Sequence, residues 1–243
     1  AYIELTSSNY QTRIDDVLQW YPNCTELYLF EDGSVTSLAD LLFAGNKVSN
    51  KKVIKVVFME DNFNNVGNMQ TAFRECSKLQ MVENLPKSAN NLIGTFDGCG
   101  SLNQQFDFSN LQLINDGLIS TWKNCSSLTY TPILPTNYTG SLASAFQGTK
   151  ITTAPVLPDG VTSLVSAFRE CKELTTVSNI PSNCVDYNNA FRGCTKLTSV
   201  PETGWKGDML WTFSYTLINQ KIVINSASDL SSTFAYCGSL NIT

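Results

Sequence analysis

The sequence predicts an α/β repeat solenoid: a right-handed curved rod with short parallel strands on its concave face and short helical or 3₁₀ turns on its convex face. Three observations predict this fold. An aromatic-x-x-Cys-x-x-Leu pattern recurs along most of the 243 residues, and a short β-prone segment follows most copies. One copy is also too short to bury its own apolar face, so neighbouring copies must stack to form a core.

The recurring pattern divides the chain into an N-terminal cap, residues 1–20, and about ten repeats of 21–30 residues that span 21–243. Two units lack the cysteine and are one residue shorter, and the second unit carries a basic and apolar insert at 51–58. The aromatic residues that head the units are Tyr21, Phe43, Phe73, Phe96, Trp122, Phe146, Phe168, Phe191, Phe213 and Phe234.

The best-preserved unit shows how each repeat should fold. Phe168 and Cys171 are three residues apart, so one helical turn would place both side chains on the same side. The segment from Leu174 to Val177 is β-prone, and Pro181 cannot donate to a strand ladder and therefore ends it. We expect the aromatic, cysteine and leucine side chains to point inward and to form columns along the rod.

The cap is predicted to contain one short amphipathic helix, from about residue 10 to 20. Thr12-x-x-Asp15 resembles a capping box, and Ile14, Val17 and Leu18 lie at helical spacing on one face. The sequence stops inside a unit at the other end. We therefore expect the natural protein to continue there, or this uncapped C-terminal end to mediate assembly.

The core Ala-Phe-x-x-Cys-x-x-Leu-x-x-Val/Ile, followed by proline, resembles the BspA-type leucine-rich repeats of bacterial cell-surface proteins. The units from Leu157 to Val177 and from Ala190 to Pro201 carry this resemblance most clearly, and it covers almost the whole chain. It implies a leucine-rich-repeat rod and a non-enzymatic module for adhesion or recognition. The long second unit and the irregular unit after Phe213 depart from the pattern.

Composition excludes several functions. Charged residues make up 15% of the chain, the formal net charge is −5, and the basic residues form no cluster, so nucleic acid is not an expected partner. Histidine is absent, which removes Ser-His-Asp and Cys-His catalysis and zinc sites with histidine ligands. No apolar run is long enough for membrane insertion. We expect no catalytic residues, cofactor or metal.

The eight cysteines could form disulfides, hold a metal or lie buried as free thiols. Seven of them share one repeat position, which favours a column of buried free thiols. Cys184 lies off this column on a predicted turn. It is the one cysteine to suspect of reactivity, although an exposed or half-buried spectator is the preferred interpretation because no histidine can activate it.

The outward positions of the predicted strands form the candidate binding surface. This surface is neutral and rich in hydroxyls and amides, which suits a protein or a carbohydrate partner, although threonine there also reflects β-propensity. We call it the stripe, and its residues are Gln80, Met81, Glu83, Gln104, Tyr130, Thr153, Thr176, Ser178 and Ser199.

Three functions follow as hypotheses. The first is an extracellular binding module on a cell or virion surface, from a bacterial envelope protein or a bacteriophage that engages its host. The second is a polysaccharide-cleaving solenoid enzyme that uses carboxylates instead of histidine, for which the stripe supplies only Glu83. The third is a structural array or spacer.

Overall fold

The computed structural model describes residues 1–42, 52–59 and 63–237. The chain coils repeatedly around one continuous hydrophobic core, and the predicted repeat solenoid with parallel strands is confirmed. The predicted anchor Phe43 and the C-terminal end of the last unit lie outside the described residues. The elements are β1 (Tyr2–Leu5), α1 (Tyr10–Trp20), β2 (Glu26–Glu31), β3 (Lys55–Phe58), β4 (Met81–Glu83), β5 (Gly140–Ser141), β6 (Val161–Ser163), β7 (Trp205–Asp208) and β8 (Ile224–Asp229).

The first row of strands occupies the positions predicted from the repeat. Strands β1 to β4 form one parallel sheet in chain order, and Val56 of β3 pairs with Val82 of β4. Farther along the chain the same row continues as isolated parallel bridges, which join Thr153 to Thr176 and Thr176 to Ser199. The predicted strands therefore lie in one long row. They form a regular sheet near the N-terminus and isolated bridges farther along the chain.

Two segments near the N-terminus differ from the prediction. The segment 51–58, read as an insert, supplies β3, which pairs with β2 on one side and β4 on the other. Residues Tyr2–Leu5 lie in the predicted cap 1–20 but outside its predicted helix, and they form a strand that the sequence analysis did not predict, with Ile3 and Leu5 buried against the core. Four residues of period-2 alternation are too few to be recognised with confidence in a sequence.

A second row of parallel contacts, which the sequence analysis missed, precedes each aromatic residue. It comprises the pairs β5–β6 and β7–β8, and isolated bridges join Ser163 to Asp186 and Asp186 to Asp208. The members of this row are short and rich in Gly, Ser and Asp. These residues have low β-propensity, so the strands leave little trace in the sequence.

The predicted helical turns are consecutive reverse turns. Between Leu164 and Cys171, Ala167 N–H donates to Leu164 C=O and Cys171 N–H to Phe168 C=O, at 2.9 and 3.0 Å. The intervening amides point along the rod: Ser166 N–H and Glu170 N–H donate to carbonyls of the next coil. Both residues have positive φ, 54° and 61°, which a helix does not allow. Backbone hydrogen bonds within the turns thus alternate with hydrogen bonds to the next coil, instead of following the i→i−4 pattern of a helix.

The aromatic column is confirmed as the centre of the core. Phe146, Phe168 and Phe191 are buried, with ring centroids 5.2 and 5.4 Å apart and ring planes within 8° of parallel. Stacked contacts of the same kind also join Phe73–Phe96, Trp122–Phe146, Phe191–Phe213 and Phe213–Phe234. Tyr21 is an exception, because it follows α1 directly and is 64% exposed. Its assignment to the column was wrong.

The cysteines of the column are free and donate hydrogen bonds between coils. In five coils the thiol lies 2.8–3.1 Å from the carbonyl oxygen of the preceding coil's aromatic anchor: Cys99, Cys125, Cys171, Cys194 and Cys237. The thiol of Cys76 makes the equivalent contact with the carbonyl of Leu42, at 3.1 Å. These bonds explain why a weakly polar residue is repeated at this buried position.

Two cysteines differ from their predicted surroundings. Cys184 is buried, and desolvation raises the pKa of its thiol to about 11, so it is neither an exposed nor a half-buried spectator. Cys24, assigned to the column, is only half-buried and contacts the carbonyl of Glu26 at 3.3 Å. Its side chain does not bond to an aromatic anchor, because the N-terminal strand and helix precede it instead of a regular coil.

The helix α1 begins without the predicted capping box. Asn9 is its N-cap and makes no side-chain capping bond, and Thr12 lies inside the first turn, where its Oγ1 donates to Asn9 C=O at 3.1 Å. The helix buries Ile14 and Leu18 against the solenoid. Packing of this apolar face stabilises the helix more than its ends do.

Candidate functional site

The structure places the stripe along the first row of strands. Seven of its nine residues are exposed, and Glu83 and Gln104 are half-buried. Parallel contacts join Thr153 to Thr176 and Thr176 to Ser199, so these three stripe residues lie at matching positions in consecutive coils. The use of the stripe in binding stays a prediction.

Gln104 is committed to the fold. Its Oε1 accepts a hydrogen bond from Val82 N–H at 2.7 Å, and its Nε2 donates to Val82 C=O at 2.9 Å. The side chain thus makes the two hydrogen bonds with Val82 that the backbone of a neighbouring strand would otherwise make. Asn179 and Gln220 bind the backbone of Leu157 and Val200 in the same two-bond way. A side-chain amide at this position of the repeat therefore binds the backbone of the preceding coil and is not available to bind a ligand.

Glu83 is paired as well. Its Oε1 lies 2.7 Å from Lys55 Nζ on the neighbouring strand, and this bond raises the pKa of Lys55. The Glu83 carboxylate is therefore held in an ion pair instead of being free to contact a substrate. The one carboxylate that the stripe offers is thus occupied.

The hydroxyls of two threonines next to the stripe are partly satisfied by the protein. Thr131 Oγ1 donates to Thr153 C=O at 2.9 Å, and Thr175 Oγ1 donates to Thr152 C=O at 3.0 Å. Each hydroxyl has one proton, so these groups face solvent as acceptors. The threonines therefore stabilise the contact between coils while they offer lone pairs to a partner.

A groove next to the stripe exposes two apolar side chains. We call it the Ile133–Val156 groove: it has a volume of about 660 Å³ and lies between two consecutive coils. Ile133 is 49% and Val156 is 76% exposed, and Tyr130, which immediately precedes the groove residue Thr131, is 50% exposed. The groove is lined by Thr131, Pro132, Ile133, Leu134, Thr136, Ala154, Pro155, Val156, Leu157, Pro158, Asp159 and Asn179.

Prolines give this groove a rigid backbone. The two coils carry the matching segments Pro-Ile-Leu-Pro135 and Pro-Val-Leu-Pro158, whose prolines fix φ and remove N–H donors. Asn179 holds Leu157 by both of its backbone groups, at 3.0 and 2.7 Å. Sequence analysis did not single out Ile133 or Val156. The repeated Pro-Ile/Val-Leu-Pro segment was the signal that could have identified them.

A second cleft lies at the N-terminal end of the solenoid. It has a volume of about 680 Å³, and its walls include the exposed rings of Tyr2, Trp20 and Tyr21. The half-buried Cys24 also lines it. Tyr2 stacks on Tyr28 with ring centroids 4.9 Å apart.

Burial lowers the reactivity of the column's thiols. Desolvation raises the pKa of Cys76 to about 12 and that of Cys171 to about 11, which keeps these thiols protonated at neutral pH. Within residues 1–42, 52–59 and 63–237, no group of three or more Cys, Asp or Glu side chains has an arrangement that could hold a metal ion. The same ranges contain no helix that is both long and apolar enough to cross a membrane.

Comparison with known proteins agrees with this architecture. The family described as "BspA type Leucine rich repeat region (6 copies)" matches residues 46–175, 94–203 and 120–241. No curated protein matches the chain. A crystal structure of a leucine-rich repeat protein from Bacteroides ovatus is similar in fold, with a TM-score of 0.59 and 19% sequence identity. That match covers 82% of this chain and 50% of the other, so this chain spans about half the length of that protein.

The family matches together span 46–241, which includes the stacked rings, the thiol column and the Ile133–Val156 groove. Their extent, together with the solenoid fold, places this chain in the BspA-type leucine-rich repeat family.

Proposed function

We propose that this chain is a non-enzymatic binding module that recognises a protein on a cell surface through the Ile133–Val156 groove. The exposure of Ile133 and Val156 carries this proposal. Two β-branched apolar side chains stand out from a rigid proline-rich backbone, where the fold itself gains little from them. A partner that covers them would gain free energy by removing apolar surface from water. Because the proline-rich backbone is already rigid, binding would not have to order flexible loops.

The surroundings of the groove support a protein partner. Tyr130 offers a large, amphipathic side chain of the kind enriched at interfaces, and the neighbouring threonines offer hydrogen-bond acceptors around the apolar centre. This distribution of apolar centre and polar rim is typical of protein interfaces. A glycan bound along the hydroxyl-rich stripe is the second candidate.

Membership of the BspA-type family supports placement at a bacterial surface, since the family is typically surface-associated. Extracellular location follows as part of the proposal. Engagement of a host by a bacteriophage particle is a variant of the same function that the family does not distinguish.

Substitution of the groove's apolar side chains tests the proposal. The intact chain, immobilised through a terminal tag, is incubated with labelled proteins released from the surface of host cells. The variants Val156→Ser and Ile133→Thr should reduce capture of a specific protein at least tenfold. Val185→Ser is the matched control, because Val185 is 50% exposed and lies outside the groove. Equal capture by wild type and Val156→Ser would contradict the proposal.

Two alternative functions have their own assays. Release of reducing sugars from polysaccharides, abolished by Glu83→Gln, would favour the carboxylate enzyme, for which the Glu83–Lys55 pair is unfavourable. An absence of binding to any protein or glycan would favour a spacer. Assembly through the C-terminal end concerns residues outside the described ranges, and a mass measurement in solution tests it.

A further inference from the structure

The last described coils carry aromatic side chains at a backbone position that normally excludes them. One residue of each reverse turn has positive φ, and along the chain this position forms a column joined by inter-coil hydrogen bonds. We call it the turn column. Its members are Glu75, Gly98, Asn124, Gly148, Glu170, Gly193, Tyr215 and Tyr236, with φ between 57° and 78°.

Tyr215 and Tyr236 are the exceptions in this column. A bulky side chain at φ of 60° or 57° is an outlier, whereas Gly and Asn accept this conformation readily. Trp211 is a third case, because the equivalent position in the first turn of the neighbouring coils holds Asn189 and Ser232. All three aromatic exceptions lie in two adjacent coils. Strain that is clustered in this way points to a function that the side chains serve.

The two tyrosines do not serve the core. Tyr215 is 44% and Tyr236 is 71% exposed, and their rings stack on each other with centroids 4.7 Å apart and planes 12° from parallel. Trp211 lies four residues before Tyr215 in the same coil, is half-buried, and has the guanidinium of Arg192 4.9 Å from the centre of its ring. The result is an exposed aromatic patch with polar tips.

Gly193 separates this patch from a carboxylate. Gly193 stands one coil before Tyr215 in the turn column and has no side chain, and a Cβ placed there would lie 2.6 Å from Glu170 Oε1. The carboxylate of Glu170 therefore lies over the glycine, on the side of Tyr215 that Tyr236 does not cover. Lys172 Nζ lies 3.6 Å from Oε2 of Glu170, and 45% of the Glu170 side chain is exposed.

We infer that Glu170, Gly193, Tyr215 and Tyr236 form a binding subsite for a neutral saccharide, separate from the Ile133–Val156 groove. The apolar C–H face of a pyranose ring packs against the electron-rich face of Tyr215, whose quadrupole attracts the slightly positive hydrogens. The Glu170 carboxylate accepts hydrogen bonds from sugar hydroxyls, and such charge-assisted bonds are the stronger ones. Anionic sugars are disfavoured by this carboxylate and by the chain's net charge of −5.

The test uses the intact chain and four neutral trisaccharides, namely cellotriose, maltotriose, mannotriose and galactotriose, with 3′-sialyllactose as the anionic probe. Binding is measured by titration calorimetry and by saturation-transfer NMR. We expect at least one neutral trisaccharide to bind, and Tyr215→Asn and Glu170→Gln each to weaken that binding at least tenfold. The Asn side chain matches Asn124, which occupies the same column with φ 58°.

A stability measurement separates ligand binding from a structural role. Because Asn tolerates positive φ better than Tyr, Tyr215→Asn should leave Tm unchanged or raise it by about 2–4 °C while binding is lost. Val156→Ser, which tests the protein-binding groove, should bind the trisaccharides as wild type does, so the two proposals fail independently. Three outcomes would overturn the inference: no neutral trisaccharide binds, only 3′-sialyllactose binds, or Tyr215→Asn or Glu170→Gln binds as tightly as wild type.

Discussion

Replacement of Phe168 by alanine is the sharpest test of the stacked core. Phe168 is fully buried between Phe146 and Phe191, with ring centroids 5.2 and 5.4 Å away. Burial of ~150 Å² of ring surface at ~25 cal/mol/Å² is worth about 4 kcal/mol. Two lost stacking contacts add ~0.5 kcal/mol each. The expected loss of unfolding free energy is therefore about 5 kcal/mol, at the upper end of the usual ~3–5 kcal/mol for Phe→Ala.

Urea denaturation followed by circular dichroism measures this loss, and a double-mutant cycle tests its cause. Phe168→Ala and Phe191→Ala should couple by about 0.5–1.5 kcal/mol, because the rings touch. Phe168→Ala and Phe96→Ala, three coils apart, should be additive within about 0.5 kcal/mol. A loss below about 1 kcal/mol for Phe168→Ala, or the same coupling for both pairs, would refute the reasoning.

Three further predictions concern the thiols, one glycine and one amide. Burial raises the pKa of Cys171 to about 11 and of Cys76 to about 12, above the ~8.5 of an unfolded thiol. Stability is therefore complete below about pH 8.5 and falls as pH rises, by about 1.4 kcal/mol per pH unit per thiol; a flat profile from pH 8 to 10 in urea titrations would contradict this. Gly207→Ala should cost more than ~3 kcal/mol, because φ is 79° and the new Cβ would clash with the carbonyl oxygen of Val185. The control Gly33→Ala, with open space and φ 87°, should cost only about 1 kcal/mol in thermal melts. Gln104→Ala should cost about 1–3 kcal/mol through its two bonds to Val82, whereas the exposed Gln80→Ala should change stability by no more than about 0.5 kcal/mol.

The core was predictable from the sequence because every coil repeats it. Phe168, Cys171 and Leu174 recur at fixed spacing, so one inward orientation had to hold for all copies. Tyr21 shows where such matching fails. Its Tyr-x-x-Cys-x-x-Leu spacing fits the motif, but the residue directly follows α1 and its ring is exposed.

The turn geometry was not predictable, because the type of residue does not indicate the sign of φ in this fold. The positive-φ position holds Glu170 in one coil and Gly193 in the next, and inter-coil hydrogen bonds fix the conformation of both. The second row of strands escaped the sequence analysis because its members are short and rich in residues of low β-propensity.

Seven of the nine stripe residues are exposed, but the role of the side chains depends on neighbours that only the fold supplies. Gln104 reaches the backbone of the preceding coil, and Glu83 reaches Lys55. Neither contact can be inferred from a single repeat. The exposed Ile133 and Val156 look like ordinary core residues in the sequence, because each stands between prolines beside a leucine that is buried.

The hydrogen bonds of the reverse turns give the rod a dipole along its axis. In each regular coil four turn amides, such as those of Leu164, Ser166, Phe168 and Glu170, donate to carbonyls of the following coil. Peptide dipoles therefore align head to tail over many coils, as they do in an α-helix, but with the positive pole toward the C-terminal end of the chain. Negatively charged groups should accordingly be favoured at that pole, and two such rods should associate head to tail more readily than head to head.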